Sequence, residues 1–218
     1  MPTDELAKIE LFNTLPKVFD SEEVVSEVWN QNVEFEKGKY YIIEAASGTG
    51  KSSLCSYIYG NRTDYLGEIH FDGVDIRQFK INVWQRMRRS IIAYLPQELS
   101  LFPELTALQN VELKNSLTGY ASSQQISQWF EELGIYNRKD YPVGKMSIGQ
   151  QQRVAIIRAL CQPFSFLLLD EPVSHLDEAN NLIVSEIILR EAKRQGAAVI
   201  ATSVGNNLRI NVDKIYKL

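Results

Sequence analysis

The ten residues from Glu44 to Ser53, EAASGTGKSS, constrain the fold of this chain more than any other stretch. Gly50, Lys51 and Ser52 match the end of a phosphate-binding loop, in which a glycine is followed by four residues and then by Gly-Lys-Ser/Thr. Small residues in such a loop let backbone N–H groups point at phosphate oxygens, and the helix that follows adds its positive N-terminal end. The opening glycine is replaced by Ala45.

The segments on either side of this loop occur in the order that a P-loop fold requires. Residues 39–43 are β-branched and aromatic enough for a buried strand, and residues 54–59 fit a short helix. One alternative is a connecting loop rich in glycine and serine. A second is a dinucleotide-binding fingerprint, but Ser53 stands where that fingerprint needs its third glycine. The context favours a phosphate site in which Lys51 neutralises the terminal phosphates and the Ser52 hydroxyl ligates Mg²⁺.

Length and charge limit the other functions that the chain could have. With 218 residues, of which 44% are hydrophobic, it can form one large domain with a substantial core. The 23 basic and 27 acidic side chains give a net charge of −4 without a basic block, so we expect no binding to nucleic acid or to a membrane surface by charge. The sequence has neither an apolar run of about 18 residues nor a signal-peptide pattern, so we expect a cytoplasmic protein. Cys55 and Cys161 lack metal-ligand spacing and are predicted to be buried thiols.

The rest of the pattern predicts an α/β fold with a helical segment inserted between the strands. Residues 24–29 fit either a strand or a connector. The predicted strands are residues 8–12, 33–35, 39–43, 67–73 with a closing Asp-Gly turn, 91–95, 166–169, 198–202 and 213–218. The predicted helices after residue 60 are residues 104–117, 122–133, 146–161 and 177–194.

Two further stretches contain residues that could take part in binding or catalysis. Residues 146–153, MSIGQQQR, open a helix with Ser147 as its N-cap, although the same pattern fits a simple surface helix. Helical spacing places Ile148, Val154, Ile157 and Leu160 on the buried side of this helix. Residues 166–169 form a continuous apolar run, typical of a central parallel strand, and Asp170 and Glu171 follow it. Acids at a strand end also occur in ordinary turns. Next to a P-loop, however, two carboxylates at the carboxyl end of a central strand indicate metal and water chemistry.

Together these stretches resemble the ATP-binding subunit of an ABC transporter, and the resemblance covers essentially the whole chain. The motifs occur in the family's order: AASGTGKSS as Walker A, Gln97 in YLPQE as the Q-loop, MSIGQQQR as the signature, FLLLDEP as Walker B, and residues 174–177 as the D-loop. The short chain and its LFPELTALQNVEL segment are similar to the compact ATPases of lipoprotein-release, macrolide-export and cell-division systems.

The resemblance implies a P-loop NTPase core with a mostly parallel central sheet, an antiparallel β subdomain and an inserted α-helical subdomain. Residues 1–97 and 162–218 would form the core with the β subdomain, and residues 98–161 the helical subdomain. The working unit would be a homodimer packed head to tail, with each ATP between one P-loop and the signature helix of the partner. A short helix of an integral-membrane permease would dock beside the Q-loop, near residues 102–115, and would hold the chain at the inner face of the cell membrane.

The cofactors implied by the resemblance are ATP and Mg²⁺. Phe19 would stack on adenine, with plain packing as its alternative, and Glu171 would polarise the attacking water. The residues implied in nucleotide binding are Phe19, Ser47, Gly48, Thr49, Gly50, Lys51, Ser52, Ser53, Ser147, Gly149 and Gln150. Those implied in catalysis are Lys51, Gln97, Glu171 and Ser203, and those implied in metal binding are Ser52, Gln97 and Asp170.

Three positions depart from the family's pattern. Ala45 replaces a glycine of Walker A, and Ile148 replaces a glycine of the signature. Ser203 stands where the family carries a histidine that contacts the γ-phosphate and helps to hold the catalytic water and glutamate. Loss of one preorganised transition-state partner typically costs roughly 10²- to 10³-fold in rate. We therefore expect hydrolysis through Glu171 that is slow or depends on a partner, and the alternative is a regulatory module that binds ATP and dimerises with little or no hydrolysis.

Other functional classes fit this sequence less well. The signature helix and the D-loop argue against a soluble kinase of small molecules. ABC ATPases of DNA repair or translation carry long coiled-coil insertions or two such domains in one chain, and we expect neither here. His70 and His175 are expected to have structural roles rather than to replace the missing histidine.

Overall fold

The structure, a computed structural model, describes residues 5–21 and 23–218. The strands are β1 Lys8–Pro16, β2 Asn32–Glu36, β3 Tyr40–Glu44, β4 Tyr65–Phe71, β5 Val74–Asp75, β6 Ile92–Leu95, β7 Phe166–Asp170, β8 Ala198–Ser203 and β9 Lys214–Lys217. The α-helices are α1 Lys51–Ile58, α2 Ile81–Arg86, α3 Ala107–Asn115, α4 Ser123–Glu132, α5 Ile148–Leu160 and α6 Glu178–Gln195. Strands and helices are arranged as an α/β fold with one parallel and one antiparallel sheet, as the sequence predicts.

Five parallel strands form the central sheet, in the order β6-β7-β8-β3-β9. Every residue of β7 and β8 is buried, as a continuous apolar run predicts for strands covered on both faces. The register pairs Asp170 with Thr202 and Glu44 with Ser203, so β3, β7 and β8 end together. The P-loop, the acidic pair and Ser203 therefore meet at the carboxyl edge of the sheet, where open α/β sheets bind their ligands.

The second sheet is antiparallel, in the order β2-β1-β4-β5. The pairing of β1 with β4 shifts in register at a bulge. There a Cβ on Gly67 would lie 2.3 Å from the carbonyl oxygen of Asn13, so only glycine fits. Asp72 and Gly73 both have positive φ and close β4 with the predicted Asp-Gly turn.

Helices α3, α4 and α5 lie within the predicted helical segment, residues 98–161. Thr106, Ser122 and Ser147 cap them, each accepting a hydrogen bond from the backbone N–H three residues on. Trp129 and Phe130 of α4 are fully buried in a hydrophobic cluster that also contains residues of α5 and β7. This cluster joins the helical segment to the central sheet, while the limits of the segment at residues 98 and 161 stay a prediction.

Two parts of the chain could not be assigned from the sequence pattern. Residues 24–29 form neither a helix nor a strand. Residues 81–90, for which the pattern makes no prediction, form α2 and most of a π-helical turn at Met87–Ile91, so the strand predicted from residue 91 begins at Ile92. Aromatic rings explain this short helix, because Trp84 packs against Phe71 and Phe79 with ring centroids 6.1 and 5.6 Å apart. Tertiary packing stabilises it where local periodicity is weak.

The two cysteines have the burial that the sequence predicts. Cys55 and Cys161 are free and buried. Burial, and next the charges of Asp170 and Glu191 respectively, raises the pKa of each thiol above its ordinary value. Within residues 5–21 and 23–218, no helix is both long and apolar enough to cross a membrane.

Candidate active site

The P-loop connects the end of β3 to the first turn of α1. Gly48 and Gly50 have positive φ, and Gly50 is the N-cap of α1. Lys51 is buried, and its Nζ donates to the carbonyl oxygen of Ala46 at 2.7 Å. Ala45 is outside the group of residues with positive φ, so its methyl group adds no backbone strain. The loop therefore has the backbone of a phosphate cradle that leads into a helix N-terminus.

Two aromatic residues from the segment before β2 support this loop. The indole Nε1 of Trp29, which is buried, donates to the carbonyl oxygen of Thr49 at 2.9 Å. A Cβ on Gly50 would lie 3.1 Å from the Trp29 ring and 3.3 Å from the ring of Phe19. Phe19 is half-buried in the 3₁₀ turn Lys17–Phe19, so part of its ring remains open beside the loop. That position suits stacking on a nucleobase, and its stacking role stays a prediction.

The acidic pair at the end of β7 is held from β8. Asp170 is 2% exposed, and its Oδ1 accepts a hydrogen bond of 2.6 Å from the Thr202 hydroxyl. The same hydroxyl oxygen accepts a bond of 3.1 Å from the backbone N–H of Glu171. A carboxylate oxygen of Glu171 lies 3.6 Å from Nζ of Lys51. Lys51 and Glu171, both implied in catalysis by the resemblance, therefore lie close together.

A cleft of about 250 Å³ contains most of the predicted phosphate and metal residues. It is lined by Ser47, Gly48, Gly50, Lys51, Ser52, Ser53, Gln97 and Glu171. The Ser52 hydroxyl donates to Oε1 of Gln97 at 3.3 Å, so the first turn of α1 meets the Q-loop at this point. Hydroxyl, amide and carboxylate oxygens are the donors that Mg²⁺ takes in proteins. Ser52, Gln97 and the nearby Asp170 therefore fit a magnesium ion in chemical type.

The signature residues lie at the start of α5, away from this cleft. Ser147 and Gln150 form a capping box: the Ser147 Oγ accepts from the Gln150 N–H at 3.4 Å, and the Gln150 side chain accepts from the Ser147 N–H at 3.0 Å. In the part of the chain that the structure describes, the cleft with Lys51 has no lining residue from the signature. The helical pattern predicts Ile148 on the buried side of α5, but this prediction is wrong, because Ile148 is 49% exposed.

Ser203 ends β8 next to the acidic pair. Its carbonyl oxygen accepts from the N–H of Ala45 at 3.1 Å, and its side chain is buried, with 3% of the residue exposed. Its Oγ has no hydrogen-bond partner among the described residues. A cavity of about 220 Å³ lies there, lined by Glu171, Ser174, Ser203, Val204 and Asn206. Ser203 therefore lines the same cavity as Glu171 without a hydrogen bond from its hydroxyl.

His70 lies far along the chain from these groups, in the antiparallel sheet. Its ring packs edge-on against Phe12 with centroids 4.9 Å apart, and its Nε2 is 2.8 Å from Glu68. Its neighbour Asp75 completes a small group of metal-ligating types. Arg77 forms ion pairs with both Glu68 and Asp75 and so supplies positive charge at this point. The structural role predicted for His70 agrees with these contacts.

Comparison with known proteins identifies the family. A model of the ABC transporter family matches residues 28–174. The chain belongs to the ABC transporter family. It is 32% identical over 167 residues to the ABC transporter ATP-binding protein YtrE of Bacillus subtilis, which covers 75% of this chain and 72% of that protein. It is 28% identical over 190 residues to the lipoprotein-releasing system ATP-binding protein LolD of Novosphingobium aromaticivorans, with coverage of 86% and 85%.

The fold of this ABC family member is similar to that of MJ0796, a bacterial ABC transporter cassette with a dimeric structure. That match has a TM-score of 0.80 and 26% identity and covers 96% of this chain and 94% of MJ0796. A dimeric post-hydrolysis state of MJ0796 bound to ADP and Pi matches with a TM-score of 0.73 and 26% identity, over 91% and 88% of the chains. The predicted fold class, family and enzyme class, an ABC-type ATPase, are therefore confirmed.

Three side chains of this ABC site are not among the site residues predicted from the sequence. Trp29 contacts the P-loop, Thr202 holds both acidic residues, and Gln152 donates to the carbonyl oxygen of Glu171 at 3.0 Å. Thr202 has a partial sequence signal, because it is the last residue of the predicted strand 198–202. Gln152 lies inside the signature, one turn before the buried Ile156. Trp29 gives no local signal, since its partner lies 20 residues away in the chain.

Proposed function

We propose that this chain is the ATP-binding and hydrolysing subunit of an ABC transporter. It works as a homodimer around two ATP molecules with Mg²⁺ and drives a separate integral-membrane permease. The observation that carries the proposal is the cleft in which the P-loop, Gln97 and Glu171 converge, with Lys51 3.6 Å from the Glu171 carboxylate. We infer a cytoplasmic chain that is bound peripherally to the inner face of the membrane through its permease.

Nucleotide binding depends on Lys51 and on the loop from Ser47 to Ser53. The loop N–H groups and the N-terminus of α1 bind phosphate oxygens, and Lys51 leaves its carbonyl partner to pair with the terminal phosphates. Ser52 and Gln97 would hold Mg²⁺, with Asp170 as a supporting carboxylate. When bound, the ion would supply positive charge to the phosphate oxygens. Phe19 stacks on adenine beside Gly50.

Hydrolysis rests on Glu171. Its carboxylate orients the attacking water and accepts a proton from it, a role that typically contributes about 10²- to 10⁴-fold in rate. Thr202 keeps the backbone of Glu171 and the Asp170 carboxylate in fixed relation through one hydroxyl group.

The signature residues serve the partner chain. Ser147, Gly149 and Gln150 lie at an N-terminus of a 13-residue helix, where backbone N–H groups and the helix dipole attract an anion. Their separation from the cleft of the same chain supports a head-to-tail dimer in which they contact the γ-phosphate of the partner's ATP. In this arrangement residues 98–161 act as the helical subdomain, and residues 1–97 and 162–218 act as the core.

A groove beside the Q-loop suits the permease. Its volume is about 440 Å³, and it is lined by Tyr59, Tyr94, Pro96, Glu98, Phe102, Leu113, Lys114, Leu117 and Arg158 among others. Phe102, Leu113 and Leu117 are large apolar side chains with about half of their surface exposed. This apolar wall fits one face of a short amphipathic helix. The likeness to LolD favours a compact export or release system, in which the permease would select the substrate.

The rate of hydrolysis depends on Ser203. Its unpaired hydroxyl and the cavity beside Glu171 support a slow ATPase that lacks one transition-state contact. The same observations favour a second candidate, a regulatory ABC module that binds ATP and dimerises with little or no hydrolysis.

These proposals are tested by phosphate release from the purified chain with Mg-ATP over a range of protein concentrations. We expect a rate per chain that rises with concentration, as a dimeric ATPase requires. Glu171→Gln should retain ATP binding and lower the rate by about 10²- to 10⁴-fold. Ser203→His should raise it. A normal rate in Glu171→Gln would contradict the mechanism. ATP binding without phosphate release from either the native chain or Ser203→His would mean that hydrolysis needs the membrane partner or that the chain is the regulatory module.

A further inference from the structure

The backbone of Glu171 adopts a conformation that its side chain disfavours. Its φ is +51°, in the left-handed region, where residues other than glycine are uncommon. Such a conformation persists only where the surrounding structure holds it, and it is frequent where a side chain must be aimed at a reacting group. The contacts that hold Glu171 therefore bear on the direction of its carboxylate.

Four hydrogen bonds hold the backbone of this residue, and one of them runs from the Ser174 N–H to the Glu171 carbonyl oxygen at 3.3 Å. The Glu171 N–H donates to Thr202 of β8, as described above. Its carbonyl oxygen accepts from the Ser174 hydroxyl at 3.1 Å and from the Gln152 side chain at 3.0 Å. Ser174 belongs to the turn that follows Glu171, whereas Gln152 lies on α5, the signature helix. Gln152 thus provides a bond to Glu171 from an element that is separate from the sheet.

Both polar atoms of the Gln152 amide form hydrogen bonds. The residue is 1% exposed. Its Nε2 donates to the Glu171 carbonyl and lies 3.5 Å from the Ser174 hydroxyl, and its Oε1 accepts from the backbone N–H of His175 at 3.2 Å. Because a carbonyl oxygen only accepts and a backbone N–H only donates, this orientation of the amide is the one that satisfies both. A buried amide with complete bonding fixes the distance between the two segments that it joins.

A second contact joins the same two segments. A Cβ on Gly149 would lie 3.0 Å from the carbonyl oxygen of His175, so the signature backbone packs closely on the D-loop. The His175 ring adds a bond of 3.0 Å between its Nδ1 and the Ser174 hydroxyl, within this turn. The start of α5 and residues 171–175 therefore form one packed unit, with Gln152 at its centre.

We infer that Gln152 is a positioning residue for ATP hydrolysis, which holds the left-handed backbone of Glu171 from the signature helix. The inference rests on the proposed function in one respect: the start of α5 contacts the nucleotide of the partner chain. Gln152 lies five residues after Ser147 on this helix. A displacement of α5 on engagement of the partner's ATP therefore reaches Glu171 of the same chain through one amide. The glutamate of each site is in this way linked to the state of the other site.

The test compares two neighbouring glutamines. Gln152→Met keeps the length of the side chain and removes its donor and acceptor. Gln151→Met is the matched control, because Gln151 lies on the same helix but donates to the carbonyl oxygen of Met146. We expect Gln152→Met to lower kcat for ATP about 10- to 100-fold, as small misplacements of a reacting group do, with KM changed less than about twofold. Gln151→Met should change neither constant by more than about twofold.

Amide hydrogen exchange provides a readout without turnover. In Gln152→Met, the peptide covering residues 171–176 should exchange about tenfold faster or more, while Gln151→Met should leave its exchange unchanged. If Gln152→Met does not fold, Gln152→Asn applies the same test, because it keeps the amide and shortens the side chain by one methylene. Unchanged exchange and kcat in a folded Gln152 variant, or equal losses in both glutamine variants, would overturn the inference.

The same data separate this inference from the proposed function. A native chain that binds ATP but releases no phosphate would contradict the proposed hydrolysis, and the exchange rates alone would then decide whether Gln152 holds the Glu171 segment. A native chain that hydrolyses ATP, with a fully active Gln152→Met, would leave the proposed function intact and overturn the role of Gln152.

Discussion

The hydroxyl group of Thr202 gives the sharpest prediction about stability. It donates to the Asp170 carboxylate at 2.6 Å and accepts from the Glu171 N–H at 3.1 Å. Thr202→Val replaces this hydroxyl with a methyl group of similar size, so both partners lose their bond. Thr202→Ser keeps the hydroxyl and removes only the methyl group. The two variants therefore separate hydrogen bonding from packing at one buried position.

The magnitude follows from the type of each bond. A hydrogen bond to a charged group contributes about 1.5 to 3 kcal/mol, and one between neutral groups about 0.5 to 1.5 kcal/mol. Thr202→Val should therefore lower the free energy of unfolding by about 2 to 4 kcal/mol. Thr202→Ser loses one buried methyl group and should cost about 1 kcal/mol.

Urea unfolding followed by tryptophan fluorescence measures both losses. The rate of ATP hydrolysis should fall more in Thr202→Val than in Thr202→Ser, because only the valine variant loses the hydrogen bond to the Glu171 N–H. Equal losses of stability in the two variants, or a loss below about 1 kcal/mol in Thr202→Val, would refute the idea that this hydroxyl holds the acidic pair.

Three further predictions concern the P-loop support and the groove. Trp29→Phe removes the bond to the Thr49 carbonyl and should weaken ATP binding by about three- to tenfold, measured by titration calorimetry; unchanged affinity would show that the indole does not support the loop. Phe19→Ala should raise the Kd for ATP by about fivefold or more and leave the Kd for inorganic triphosphate unchanged, whereas the control Val18→Ala, at an exposed position, should change neither Kd. An equal loss of affinity for triphosphate would contradict stacking on adenine. Burial, and next the charge of a neighbouring arginine, lowers the pKa of Lys114 below its ordinary 10.5, so the folded chain holds this proton less tightly than the unfolded chain does. Lys114→Met should therefore raise the melting temperature at pH 7, with a gain that shrinks as the pH approaches 10.5, and a lower melting temperature at pH 7 would contradict this sign.

Local sequence was sufficient for the elements that carry the P-loop and the acidic pair. The apolar run before Asp170 predicts a strand buried on both faces, and β7 has this burial. The serine of MSIGQQQR predicts a helix N-cap, and Ser147 forms one with a capping box. In both cases the prediction uses residues that are adjacent in the chain, and the same residues form the strand or the helix cap.

The remaining contacts of the site depend on pairs that are distant in the chain. Trp29 supports the P-loop from 20 residues before Thr49, and Thr202 holds Asp170 from a strand 32 residues later. Neither pair has a periodic signal, because each depends on the strand order and register of the finished sheet. The exposure of Ile148 has a related cause: helical periodicity predicts which side of α5 is buried, but not that its first turn extends beyond the core.

The register of β8 also explains why Ser203 cannot take part in the contacts of Thr202. Thr202 pairs with Asp170, and Ser203 pairs with Glu44 on the other side. Successive side chains of a strand point to opposite faces of the sheet, so the Ser203 side chain lies on the face opposite to that of the Thr202 side chain. Ser203 is one of the residues that line the cavity of about 220 Å³ next to Glu171. This cavity has room for more than one water molecule. A longer side chain at position 203 would therefore leave in place the Thr202 hydroxyl that holds Asp170 and Glu171, which is why Ser203→His tests the proposed missing contact separately from the fold.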